Sequence, residues 1–108
     1  MSDSGGPHGT VQVRHEPEQW RWAAYVDGVE AGFAEYVLVE DPARIVFPHT
    51  VTHPAYGGRG VASQVVAAAL AWVRDTGERR VVPQCWFVAR HLEQHPELGD
   101  LVAGPSGT

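Results

Sequence analysis

Three features of this 108-residue chain have the residue types and setting for chemistry. The first is the stretch Gly57-Gly58-Arg59-Gly60-Val61-Ala62, with Ser63 directly behind it. It follows an apolar, β-branched run and opens a segment with helical periodicity. Backbone N–H groups at a helix start have no intrahelical partners and sit at the positive end of the helix dipole. Glycines let the chain turn sharply and let a phosphate approach the backbone. Strand, glycine turn and helix start, in that order, predict a site for a phosphate-bearing ligand such as a cofactor. The second feature is Cys85, the only cysteine. It ends a predicted strand and directly precedes a helix, a position that lowers a thiol pKa and favours the nucleophilic thiolate. The competing role is a small hydrophobe in the core, the common fate of an unpaired cysteine. The third feature is His49, on the strand that leads into the glycine turn, where an imidazole can serve as a base near neutral pH.

The elements that position these residues read as follows. Val11 to Arg14 is a short strand. Arg21 to Val26 is a second, and Asp27-Gly28 after it is a strong hairpin signal. The return strand runs from Glu30 to Val39. Asp41-Pro42 marks a turn, and the fourth strand covers Arg44 to Thr52. Pro48 lies inside that strand and cannot donate to a ladder, which predicts a bulge just before His49. Val61 to Thr76 is a helix with Val61, Val65, Ala68, Ala69 and Trp72 on one face, stopped by Gly77. Arg80 to Cys85 is a fifth strand. Trp86 to His95 is a shorter helix with Phe87, Val88 and Leu92 as its apolar side, and Pro96 ends it or starts a further turn through Leu101. The expected fold is therefore α/β (α+β): a mixed sheet made of an antiparallel four-strand meander, a helix, a fifth strand splayed from the fourth, and a closing helix.

Bulk composition limits the function classes. Residues 10–102 are expected to form a single domain, with a polar leader over 1–9 and a flexible tail over 103–108. Hydrophobic residues at 44% and charged residues at 19% are a globular balance. The net charge is −5 and all eight basic residues are Arg, which argues against broad nucleic-acid binding. No apolar run is long enough to span a membrane, so no membrane partner is expected, and the lone cysteine fits a cytoplasmic, reducing compartment. Six histidines raise the question of metal. His91 and His95 share a helix face and His49 and His53 share a strand face, but no cysteine pair or acidic motif completes a ligand set, and no metal is expected. Trp20, Trp22, Trp72 and Trp86 read as core or interface, with the wall of a substrate entrance as the alternative for Trp86, and Arg79-Arg80 reads as a solvated turn.

This order of elements resembles the GNAT superfamily of acetyl-CoA-dependent N-acetyltransferases. The pyrophosphate signature there is Gln/Arg-x-x-Gly-x-Gly/Ala, and its last Gly and Ala match Gly60 and Ala62. His49-Thr50-Val51, the segment Val82 to Val88 and His95-Pro96-Glu97-Leu98 resemble the short stand-alone subgroup of that superfamily. The signature's first position is Gly57 here, with Arg59 close by, and a tyrosine common in the subgroup is replaced by His91. The resemblance implies acetyl-CoA as co-substrate and an amine acceptor, a small molecule or a protein, acted on by a monomer or homodimer. It implies pyrophosphate contacts from Gly57, Gly58, Arg59, Gly60, Val61, Ala62 and Ser63. Val51 and Thr52 would pair with the pantetheine arm as an added strand does. A strand N–H near Val51 would polarise the thioester carbonyl, with Cys85 and His49 as the catalytic candidates. Direct attack of the amine and an acetyl-Cys85 route both remain open. So do a CoA-binding module without turnover and an interaction domain whose turn binds nothing.

Overall fold

A computed structural model describes residues 11–102; the expected leader and tail lie outside the described residues. The chain opens with three antiparallel strands, β1 (Val11–Glu16), β2 (Arg21–Val26) and β3 (Val29–Glu35). Asp27 and Gly28 join β2 to β3 with φ values of 51° and 83°, the two positive dihedrals that a tight two-residue hairpin demands.

Both of the long strands expected next are broken. The return strand stops at Glu35 and resumes as β4 (Val37–Val39). The fourth strand divides into β5 (Arg44–Val46) and β6 (Thr50–Thr52). The result is two sheets, ordered β1-β2-β3-β6 and β4-β5-β7, where β7 (Arg80–Val82) runs parallel to β5. At Pro48 the chain changes partner. On one side of it Phe47 N–H donates to Val82 (3.2 Å) and Cys85 N–H donates to the Phe47 carbonyl (2.9 Å); on the other, Glu35 N–H donates to the His49 carbonyl (3.4 Å). Pro48 has no N–H to give to either neighbour. The expected bulge is thus a full break, and beyond it the former fourth and fifth strands diverge. The fifth strand ends at Val82, short of the expected Cys85, because Pro83 removes the next donor.

Helix α1 (Val61–Thr76) packs on β1, β2, β3 and β6, and Gly77 closes it in the left-handed region with its N–H on Val73. Its buried face is Val61, Val65, Val66, Ala69, Leu70 and Val73, a wider stripe than expected and rotated so that Ala68 and Trp72 are only half-buried. The second helix, α2 (Trp86–Gln94), buries Val88, His91 and Leu92. Pro96 starts a 3-10 turn through Leu101, after which Val102 bridges to Val81. One core lies between α1, α2 and the three-stranded sheet around Ile45, Phe47, Leu70 and Val81. A smaller one lies between the start of α1 and the four-stranded sheet, around Ala24, Ala34, Val61 and Val65. Arg79, expected in a solvated turn, instead binds the Val39 carbonyl (2.9 Å) and the Glu40 carboxylate.

Gly32 sets how closely β3, β6 and the start of α1 approach. A Cβ there would lie 2.5 Å from the Val51 carbonyl oxygen and 3.4 Å from Val61 Cγ1. Gly32→Ala must push backbone aside, and overpacking of this kind costs about 1–3 kcal/mol. The expected result is a lower unfolding midpoint in denaturant with an unchanged m-value; a midpoint equal to wild type contradicts the close approach.

Two histidines shielded from solvent, His91 buried and His15 half-buried, make stability depend on pH. His15 stacks on Trp22 (centroids 4.6 Å apart), contacts Trp72, and shares a 2.6 Å hydrogen bond with the Tyr36 hydroxyl. His91 stacks on His95 at 4.1 Å. Burial lowers the pKa of both below 6.5; His95 adds to the effect at His91, while Glu18 and Glu97 oppose it at His15 and His91 respectively. A folded-state pKa below the unfolded value means the unfolded chain takes up protons first. Stability is therefore complete above about pH 6.5 and falls as the pH drops through that value toward the folded pKa. The thermal midpoint should fall between about pH 7 and about pH 5.5, and less steeply in His91→Gln than in wild type. Equal slopes in the two proteins remove His91 as a source.

Candidate active site

The glycine turn comes out as expected. Gly58 and Gly60 hold φ of 80° and 73°, conformations that suit glycine, and a 3-10 turn over Pro54–Tyr56 precedes them. The first helical bond runs from Gln64 N–H to the Gly60 carbonyl (3.1 Å), and no side chain caps the helix. The amides of Val61, Ala62 and Ser63 therefore sit at the open end of α1 without intrahelical acceptors. They face a hollow of about 280 Å³ walled by Thr52, Tyr56, Gly58 and Phe87. Arg59 lies on its rim with its guanidinium 5.5 Å from the Tyr56 ring centroid. Gly57 is in ordinary extended backbone, and a Cβ there would meet only the Pro54 carbonyl oxygen, at 3.5 Å.

The divergent strand supplies the second wall. β6 is the edge of its sheet, paired only with β3. Its ladder bonds fall on odd-numbered residues: His53 N–H donates to Ala31 and the His49 carbonyl accepts from Glu35. In an antiparallel pair this parity turns the N–H and C=O of Val51 toward Phe33 and those of Thr50 and Thr52 outward, into the gap. The outward-facing amides near Val51 are therefore those of Thr50 and Thr52, not its own.

Cys85 sits where the gap closes. It caps α2 and is 8% exposed. Its Sγ lies 3.5 Å from the Thr50 hydroxyl. Burial alone would push the thiol pKa up. The Thr50 hydroxyl and the backbone N–H groups of Val88, Phe87 and Thr50 outweigh it and hold the thiol below its ordinary range. The thiol is thus buried as a core cysteine is, while the groups at the helix start lower its pKa.

His49 is not beside that thiol. Successive residues of a strand point to opposite faces. Thr50, opposite Ala34, faces α1 and Cys85, so His49 faces away, where its Nε2 lies 2.7 Å from Glu35 Oε1. The two catalytic candidates occupy opposite faces of the break and approach each other only across it. Trp86, expected as core, interface or an entrance wall, is 71% exposed with its ring packed edgewise against Phe87. His91 lies in the α2 packing face, and among the described residues no group of three or more His, Cys, Asp or Glu could hold a metal ion. No helix among them is long and apolar enough to cross a membrane.

Sequence reasoning missed Thr50, Glu35 and Phe87. Thr50 and Phe87 flank residues already singled out, and an alternation count from His49 would have pointed Thr50 at the thiol. Glu35 becomes a neighbour of His49 only through the strand register, which no local pattern gives.

The sequence model of the family described as GCN5-related N-acetyl-transferase matches residues 21–101. Protein NATD1 of Mus musculus is 28% identical over 98 residues, covering 87% of this chain and 82% of that protein. Its namesake in Xenopus tropicalis is 20% identical over 94 residues, covering 87% of this chain and 85% of that protein. Among solved structures, a ribosomal-protein-alanine N-acetyltransferase from Brucella melitensis biovar Abortus 2308 superposes with a TM-score of 0.57 at 16% identity. AAC(6')-Iy in complex with the bisubstrate analog CoA-S-monomethyl-acetylneamine superposes with a TM-score of 0.51 at 22% identity. Each alignment covers 82% of this chain but only 64% of the solved one, so the chain spans about two-thirds of the length of these neighbours. Identity this low speaks to fold, and the fold is the one expected. The family match extends over the helix start, the break and both helices: the chain belongs to the GCN5-related N-acetyltransferase family, an N-acetyltransferase by class.

Proposed function

We propose that this protein transfers the acetyl group of acetyl-CoA to a primary amine, with the coenzyme lying in the gap between β6 and α2. The observation that carries this reading is that the helix start and the edge strand share one hollow. Val61, Ala62 and Ser63 line it together with Thr52 of β6, and the Thr50–Cys85 contact lies two residues back along the same strand. The residues suit the coenzyme. Helix-start amides bind a diphosphate, Arg59 adds charge at the rim, and an edge strand can pair with the amides of a pantetheine arm.

The bound coenzyme supplies an electrophilic thioester carbonyl and a thiolate leaving group. In the overall reaction the amine nitrogen bonds to the carbonyl carbon, the C–S bond breaks, the amine gives up a proton and the released thiolate takes one up. The chain's own part is alignment and charge. The outward amides of β6 are the donors for the carbonyl oxygen: that of Thr52 is free among the described residues, and that of Thr50 would pass from the Cys85 sulfur to the oxygen. His49, held by Glu35, accepts the amine proton on the far face of the break, directly or through water. Holding both partners at the break turns the encounter into a unimolecular step. The amine attacks directly in this reading. The depressed thiol pKa favours a second one, in which Cys85 first carries the acetyl group. The unpaired thiol fits a reducing, cytoplasmic setting.

Two glycine variants test the coenzyme site in opposite directions. Gly57 has room and an ordinary backbone for a side chain, so Gly57→Gln restores the polar contact that this chain lacks. It should tighten CoA about threefold to tenfold, the worth of one added hydrogen bond near 1 kcal/mol. Gly60→Val places a β-branched residue at φ 73°. It should cost about 1–2 kcal/mol of stability and weaken CoA at least about tenfold. Calorimetric titration with CoA measures both, and two affinities equal to wild type would remove the coenzyme from this turn.

Cys85→Ala separates the two routes. Direct attack predicts a kcat within about tenfold of wild type and no acetylated protein when acetyl-CoA is added alone. The covalent route predicts loss of turnover in the variant, and a wild-type protein heavier by one acetyl group in intact mass spectrometry.

A further inference from the structure

A second hollow, of about 460 Å³, lies on the other side of the break, lined by Gln19, Trp20, Glu35, Tyr36, Leu38 and Pro48 among others. The segment Pro48 to Thr52 connects the two. Pro48 walls this hollow and Thr52 walls the coenzyme gap, with Thr50 on Cys85 midway. Four residue steps of strand span about 13 Å, so the two hollows flank one reacting centre from opposite sides.

The lining has two parts. Glu35 contributes a half-exposed carboxylate whose Oε1 holds His49 at 2.7 Å, which leaves Oε2 able to accept a second donor. Trp20 contributes a flat apolar wall. Its φ of 56° is a left-handed conformation unusual for a bulky residue. That conformation is fixed by Trp20 N–H on the Pro17 carbonyl (3.0 Å) and by the Trp20 carbonyl on Tyr36 N–H (2.9 Å). Held this way, the indole stays 54% exposed, with its ring edge-on to Tyr36 at 6.1 Å. An exposed indole beside a carboxylate complements a cation with an apolar body.

We propose that this hollow is the acceptor site and that it selects a primary alkylamine carrying a flat, apolar body, such as an arylalkylamine. Glu35 takes the ammonium, Trp20 packs against the body, and His49 stands between the bound nitrogen and the break. The proposal rests on the acetyl-transfer reading above for its chemistry, but binding in the hollow can be read without turnover.

2-Phenylethylamine and ethylamine serve as probes, on the full chain. With acetyl-CoA saturating, 2-phenylethylamine should show a kcat/KM at least about tenfold above that of ethylamine. Trp20→Ala should raise the KM for 2-phenylethylamine about tenfold while leaving the KM for ethylamine and for acetyl-CoA unchanged, and Trp20→Phe should restore it. Glu35→Gln should raise the KM for both amines. Equal kcat/KM for the two amines, or an unaltered KM in Trp20→Ala, overturns the assignment. A second arm titrates 2-phenylethylamine into 15N-labelled protein saturated with CoA and follows the indole N–H resonances. The signal lost in Trp20→Phe should move on titration, and a stationary signal overturns the proposal whatever the turnover. If CoA fails to bind while that signal moves, the acetyl-transfer reading fails and the hollow stands as an amine site.

Discussion

The exchange of hydrogen-bond partners across Pro48 is the constraint on which the rest of the site depends. Up to Phe47 the strand is tied to β7 through Phe47 N–H and to the start of α2 through Cys85 N–H; from His49 onward it is tied to β3 alone. A proline at the changeover has nothing to donate to either neighbour. A regular strand running through this point would keep pairing with β7, and its outward amides would be consumed by the sheet. Because the pairing stops, Thr50 and Thr52 keep polar backbone groups for another partner, and Cys85 comes to rest where the gap closes, its Sγ beside the Thr50 hydroxyl, rather than inside a ladder. Backbone groups left unpaired away from solvent are costly, so a gap lined with them is stable only when open to water or filled by a ligand that pairs with them.

The gap would be idle if the helix start stood elsewhere. Gly32 holds it in place. With no side chain at that position, β6 and Val61 both close onto β3, and Val61, 1% exposed, anchors the first residue of α1 in the smaller core. The uncapped amides of the first turn are thereby fixed beside the edge of β6. Charge stabilisation from a helix terminus falls off within a turn, so a displacement of a few ångströms at Val61 would separate the proposed diphosphate site from the strand proposed to pair with the rest of the coenzyme. The small core thus has a functional role beyond its size: it sets the distance between two binding surfaces.

Much of this was legible in the sequence, for identifiable reasons. Asp27-Gly28 and the glycines at 58, 60 and 77 have dihedral requirements that few other residues meet, so their turns can be read locally. The periodicity of α1 and the place of Cys85 before α2 are local as well. The breaks at Tyr36 and Pro48 were not read in full. A tyrosine that leaves a strand to bury itself against Phe47 and Trp72 carries no local mark, and a proline in a strand is equally compatible with a bulge. The direction of the Val51 amide depends on which cross-strand pairs are hydrogen-bonded. That is a property of register between segments, and a one-residue change inverts it. The pairing of Glu35 with His49 was hidden for the same reason.

The face of the four-stranded sheet away from α1 is covered by the sheet's own side chains up to the break. Among the described residues no helix covers it, yet Ala23 there is fully buried. Its cover is made by long side chains of the sheet itself. Arg21 bridges Glu16 (2.7 Å) and Glu30 (2.9 Å) and lies over the Phe33 ring at 5.0 Å, His53 adds to Glu30, and Arg14 lies over Tyr25. Arginine stems shield apolar surface while their charged ends remain hydrated and paired. This carpet ends where β3 ends, at Glu35, and the bare indole of Trp20 begins there. Among the described residues these ion pairs stop short of the break, and the face left bare there is the one on which His49 stands and where the acceptor is proposed to bind.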